Sequence, residues 1–145
     1  MRPTLPEQLR GLRRILETTV SPAVHDDYPQ TTLQGVIRAL EALEQHVNEI
    51  GPFLAWDSAT TAALLVDVAA HVAVPGLDAP APVIGIGDLA GLDTENERVR
   101  GLLAGAIPAL ASTPAAADTY ARVVQHLRER IARYPFVSTG SLPTR

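Results

Sequence analysis

The chain contains no cysteine and no lysine, and it has one methionine and one tryptophan. Without cysteine there is no disulfide framework, no thiolate metal site and no cysteine nucleophile, and the redox compartment is left open. Arginine supplies all twelve cations of the Lys/Arg class; with the abundant alanine, such a composition often accompanies a GC-rich genome and points to no function. Excess positive charge is missing as well. The formal net charge is −4 and the pI is near 5.5, so the cationic field that nucleic acid requires is absent and nucleic acid is not an expected partner. No apolar run reaches the length of about twenty residues needed to span a membrane. The longest uncharged stretch, from Gly101 to Ala117, is broken by Pro108 and Pro114. Met1 to Glu7 leads straight into a charged amphipathic segment with no signal-peptide core, so a cytoplasmic protein is expected.

What is present is a repeated three-and-four spacing of apolar residues, which places them on one stripe of a helix. Five segments show it. Leu5, Leu9, Leu12 and Leu16 mark the first, where Thr4 and Glu7 have capping-box spacing and Pro6 sits in the first turn. Leu33, Val36, Leu40, Leu43, Val47 and Ile50 mark the second, with Gly51 and Pro52 as its stop. A third follows Asp57 as N-cap and carries Thr61, Leu65, Val68 and Val72, closing at Pro75-Gly76. A fourth starts at the Thr94 and Glu97 capping pair, with Val99, Leu103, Ala106 and Leu110 on its stripe. The fifth has Thr113 as N-cap, Pro114 in its first turn, and Tyr120, Val124, Leu127, Ile131 and Tyr134 facing inward. A chain of 145 residues fits one domain. The expectation is an all-α bundle of four or five mostly antiparallel helices over residues 1–137, with a Pro/Gly-rich loop at 74–93 and a flexible tail at 138–145.

The candidates for chemistry are few. Gly85-Ile86-Gly87-Asp88-Leu89-Ala90 has the written form of a dinucleotide fingerprint, but no buried strand precedes it and the segment reads as loop. No cofactor is expected. Of the four histidines, His46 and His71 flank apolar stripes, with Glu44 and Asp67 as nearby carboxylates, and these four are the candidate ligands of a divalent metal. His126 falls on the outer face of the fifth helix in this register. No Glu-x-x-His pair of the di-iron type and no His-Glu-x-x-His occurs, so the alternative for His46 and His71 is to cover the core edge. His25, Asp26 and Tyr28 gather before the second helix, where Asp27 also suits an N-cap, and with Trp56 they are candidates for a pocket.

The uncharged helix from Gly101 needs its surface covered. Gly101 and Gly105 form a small-residue face, and with Leu102 and Ile107 they are the candidate interface of a homodimer. Taken together, Arg2-Pro3-Thr4, a Leu-rich first helix ending near Val20-Ser21-Pro22, a second closing on Ile50-Gly51-Pro52 and a last ending in Arg133-Tyr134-Pro135 resemble an uncharacterised family of small bacterial helical proteins. Members of that family are encoded beside acyl-CoA dehydrogenases and aminoglycoside-phosphotransferase-like kinases. The resemblance implies an accessory role beside a metabolic enzyme and brings no catalytic residues with it. An Arg-Glu pair expected by that pattern between Gln45 and Glu49 is missing. The expected function is therefore a non-catalytic interaction or accessory protein that self-associates and partners an enzyme. The alternative is a small helical enzyme or ligand-binding bundle with a His/carboxylate metal or polar pocket.

Overall fold

The computed structural model describes residues 3–79, 81–85 and 87–135, so the tail expected at 138–145 lies outside the described residues. Among the described residues there are four α-helices and no strand: α1 (Leu5–Ile15), α2 (Asp27–Ala69), α3 (Leu89–Ala111) and α4 (Ala117–Arg133). The all-α class expected from the periodicity is the one the chain adopts. No helix among the described residues is long and apolar enough to cross a membrane. The chain divides into two compact units, Met1–Glu49 and Ile50–Arg145, and the division falls within α2.

The first unit is a helical hairpin. Thr4 caps α1 through a complete capping box: its backbone N–H donates to Glu7 Oε2 at 2.7 Å, and the Glu7 N–H donates to Thr4 Oγ1 at 3.4 Å. A π turn, Leu16–Val20, and a short 3-10 turn, Ser21–Ala23, end α1 where Pro22 cannot continue it. The hairpin is clasped by charge rather than by a thick core. Glu44 receives Arg10 Nε at 2.6 Å and Arg13 Nη2 at 3.2 Å, and at the turn end Gln30 Nε2 donates to Ser21 Oγ at 3.1 Å. These contacts run antiparallel. Ile37 is the one buried residue among those described in this unit.

The second unit packs the later part of α2 with α3 and α4. Leu65 and Val68 of α2, Val99, Leu103, Ala106 and Leu110 of α3, and Val123 of α4 form its main core. Phe53 and Leu54 with Leu92 form a smaller cluster, against which Ile50, Trp56 and Ile84 pack. Full burial of one Leu or Val side chain contributes roughly 1.5 to 3 kcal/mol, so these residues carry the folding of the unit.

Several expected boundaries move. Gly51-Pro52 does not stop the helix; α2 runs through it for 43 residues. Pro52 is exposed, while Phe53 and Leu54 directly after it are buried and hold the helix in place. Asp57 is therefore not an N-cap but a fully buried residue in mid-helix. At the other end α2 stops at Ala69, before Pro75-Gly76, and Gly76 takes a left-handed φ of 89° in the loop. α3 begins at Leu89 because Asp88 caps it, accepting the Gly91 N–H at 3.0 Å, so Thr94 and Glu97 lie inside the helix. Thr113 and Pro114 open a 3-10 turn, Pro114–Ala116, and α4 proper starts after it. On α4 the inward stripe is Thr119, Val123 and His126, one residue off the expected register, and Leu127 and Ile131 are exposed.

Two outcomes follow. Leu65→Ala, at a position with 0% exposure, should lower unfolding free energy by about 2 to 5 kcal/mol in urea titration, with little change in helical circular dichroism. Glu44 is held below the usual carboxylate pKa of 4.5, first by the Arg10 hydrogen bond and also by Arg13, against the opposing effect of burial. A lowered folded-state pKa contributes stability above the unfolded value and loses it as pH falls through the folded one. Acid titration of the wild type should therefore show hairpin stability declining below about pH 4.5, and Glu44→Gln should flatten that decline.

Candidate functional site

Five polar residues are buried among those described: Asp57, Thr61, Asn96, Thr119 and His126. Helical spacing explains how three of them meet the half-buried Arg130. Asp57 and Thr61, four apart on α2, share one face, and so do His126 and Arg130 on α4. The helices run antiparallel, so the pairs cross. Arg130 Nε donates to Asp57 Oδ2 at 2.8 Å, and Thr61 Oγ1 lies 2.9 Å from His126 Nε2. From α3, Asn96 Nδ2 donates to the same Asp57 Oδ2 at 2.7 Å and to Ser58 Oγ at 3.2 Å. The same register continues down the helices. Asp67 Oδ2 pairs with Arg122 Nη1 at 2.9 Å, and His71 Nε2 lies 3.3 Å from Thr119 Oγ1. The two helices are thus joined by a ladder of polar rungs beside the apolar core.

The upper rung is the unusual one, because Asp57 is fully buried. Its Oδ2 has two donors, whereas its Oδ1 lies 3.2 Å from His126 Nε2, within ion-pair range but off the line of a hydrogen bond. His126 Nδ1 is buried and has no hydrogen-bond partner. The imidazole is flanked by Trp56, with ring centroids 5.5 Å apart, and the Arg133 guanidinium lies over the Trp56 ring, 4.4 Å from its centroid. Desolvating a carboxylate and a guanidinium costs several kcal/mol per ion, so this cluster weakens the fold relative to an apolar core of the same shape.

Next to the cluster, α3 and α4 enclose a cleft of about 370 Å³, inside the range of small-molecule sites. Thr61 and His126 line it together with Leu103, Ile107 and Leu127, and Arg100 and Arg130 supply its positive charge. Arg100 makes no ion pair among the described residues, and Arg130 is engaged through Nε. Glu97 also borders the cleft.

No protein-family model matches the chain, and neither a curated protein nor a solved structure matches it at a significant level.

The residues singled out in the sequence fall in several places. Glu44 is bound by Arg10 and Arg13, and His46 Nδ1 lies 3.1 Å from Glu49 Oε2, both in the first unit. Asp67 and His71 serve as the lower rungs of the second unit. Among the described residues no group of three or more His, Cys, Asp or Glu is placed to hold a metal ion. His25, Asp26 and Tyr28 are exposed in the first unit, Tyr28 at 83%, while Trp56 is half-buried in the second against His126. Gly101 and Gly105 are exposed, with nothing within 4 Å of where a Cβ would stand. Leu102 and Ile107 are half-buried against the core. The surface left around them is Ala104, Gly105, Pro108 and Ala109, small side chains that bury little area.

His126 is the main correction. The sequence register put it outside, and it is 4% exposed. Asp57, Asn96, Arg130 and Thr61 were not singled out as site residues either. The available signal was spacing: Asp57 with Thr61 and His126 with Arg130 are two i,i+4 polar pairs on helices that also carry apolar stripes.

Asp57→Ala should cost about 3 to 5 kcal/mol in chemical denaturation, since Arg130, Asn96 and His126 all lose the group they surround. Arg122→Ala, which breaks a rung whose side chains are 56% and 44% exposed, should cost less than about 1 kcal/mol. Equal effects would contradict the distinction drawn between the rungs.

Proposed function

We propose that this is a non-catalytic helical protein of the cytoplasm whose second unit holds a small ligand, one with an apolar body and an anionic head, between α3 and α4. The observation that carries the reading is the composition of the cleft. Leu103, Ile107 and Leu127 suit an apolar body, while Arg100, Arg130 and the buried imidazole of His126 converge beside them. An Arg hydrogen bond to a carboxylate is charge-assisted and about twice as strong as a neutral one. A buried cluster that weakens the fold is readily understood if it orients Arg130 and His126 toward a ligand.

Support for binding rather than turnover comes from the ring of His126. A nucleophile relay needs the hydroxyl on one ring nitrogen and the orienting acid on the other. Here Thr61 and Asp57 both approach Nε2, so Asp57 does not hold the ring for Thr61. The family resemblance implies an accessory role beside a metabolic enzyme, and holding a ligand is a form that role can take.

Trp56 is the only tryptophan of the chain and lies against His126, so its fluorescence reports on the site. Titration with short aliphatic and aromatic carboxylates should give a saturable change and a raised melting temperature, and the matching alcohols should give neither. Arg100→Ala should weaken carboxylate binding about tenfold or more, as expected for loss of one charge-assisted hydrogen bond. If millimolar carboxylates change neither fluorescence nor melting temperature, the reading fails.

A further inference from the structure

We infer that the ligand of the cleft between α3 and α4 is a zwitterion, an α-amino acid with an aliphatic or aromatic side chain, and that Glu97 receives its ammonium group. The inference rests on the reading of that cleft as a carboxylate site and adds a second point of recognition to it.

The order of the lining residues along the two helices is the starting point. On α3 the cleft meets Glu97, Arg100, Leu103 and Ile107 in turn. At 1.5 Å per residue, Glu97 and Arg100 are roughly 4.5 Å apart along the axis, and Ile107 is roughly 10 Å beyond Arg100. α4 returns antiparallel after the short Pro114–Ala116 connection. Its Arg130 is level with Asn96, since both donate to Asp57 Oδ2, and Leu127 lies about one turn away on the same cleft wall. Both helices therefore put charge at one end of the cleft and aliphatic side chains at the other.

The charged end holds both signs, and they do not neutralise each other. Glu97 and Arg100 are exposed and only three residues apart, yet neither makes an ion pair or a side-chain hydrogen bond among the described residues. Arg130 is held in place: its Nε donates to Asp57 at 2.8 Å, and its guanidinium stands 6.0 Å from the centroid of the Phe53 ring. Its two Nη groups make no hydrogen bond among the described residues. Two guanidinium groups thus border the cleft with donors to spare, and one carboxylate borders it without a donor.

A ligand with only a carboxylate head satisfies the arginines and is repelled by Glu97. An α-amino acid carries its ammonium on the carbon next to its carboxylate, so it presents both charges within the span of Glu97 and Arg100. The carboxylate then bonds Arg100 and Arg130, the ammonium bonds Glu97, and both contacts are charge-assisted. The side chain extends past Leu103 and Leu127 toward Ile107. Asp93, one turn before Glu97, borders instead a separate cavity of about 130 Å³ that shares Arg100 and Arg130, which makes it a control for the general effect of removing an acid nearby.

Leucine and 4-methylpentanoate differ only in the amino group, and Trp56 fluorescence reads the binding of each to the full chain. Leucine should bind about tenfold more tightly, the size expected for one added charge-assisted hydrogen bond. Glu97→Gln, at an exposed position where the melting temperature of the unliganded protein should not change, should abolish that preference, whereas Asp93→Asn should keep it. Equal binding of the two ligands by the wild type overturns the inference and leaves the carboxylate site standing. So does a preference that survives Glu97→Gln or is lost in Asp93→Asn. If neither ligand changes the fluorescence at millimolar concentration, the carboxylate site itself is refuted and the inference goes with it.

Discussion

The second unit depends on one constraint: a carboxylate with no access to water must be satisfied by protein groups. Asp57 meets it with Arg130 and Asn96 on one oxygen and the edge of His126 near the other. Each partner comes from a different place on α3 or α4, so satisfying Asp57 sets the register of both helices against α2. The lower rungs at Asp67 and His71 then follow at the spacing that register imposes. Apolar attraction is non-directional and by itself discriminates less sharply against sliding by a turn. A buried ion pair does not tolerate it, because a shifted partner leaves a charge unpaired.

The first unit is built on the opposite balance. Its ion pairs, Arg10 and Arg13 with Glu44, sit at the seam of two helices and fix their antiparallel register, while its apolar residues are largely uncovered. Charge defines the hairpin and leaves the hydrophobic effect unspent on one side. The second unit uses its apolar residues within itself and leaves polar groups at a cleft. One unit thus leaves apolar residues exposed, and the other leaves polar groups beside a cleft.

The fold class was legible because an amphipathic helix leaves a periodic trace that needs no partner to be read. The capping box at Thr4 and Glu7 and the α3 stripe from Val99 to Leu110 are local in the same way. Gly51-Pro52 was misread because a stop signal is only a local preference, and burial of Phe53 and Leu54 just beyond it outweighs that preference. Glu44, Asp67 and His71 have partners far away in sequence, Arg10 and Arg13, Arg122, and Thr119, which spacing along a helix does not reveal, whereas His46 meets Glu49 three residues on.

His126 shows where the limit falls. The apolar residues of α4, Val124, Leu127 and Ile131, define a stripe that any periodicity argument selects, yet the helix turns one residue further and buries Thr119, Val123 and His126. By itself the sequence determined which segments are helical and where charge and apolarity lie along each, because those properties are set within a few turns of chain. Only the tertiary structure decided which face of α4 points inward, because that choice depends on Asp57 and Thr61 of α2, whose partnership with Arg130 and His126 exists only once the helices are packed.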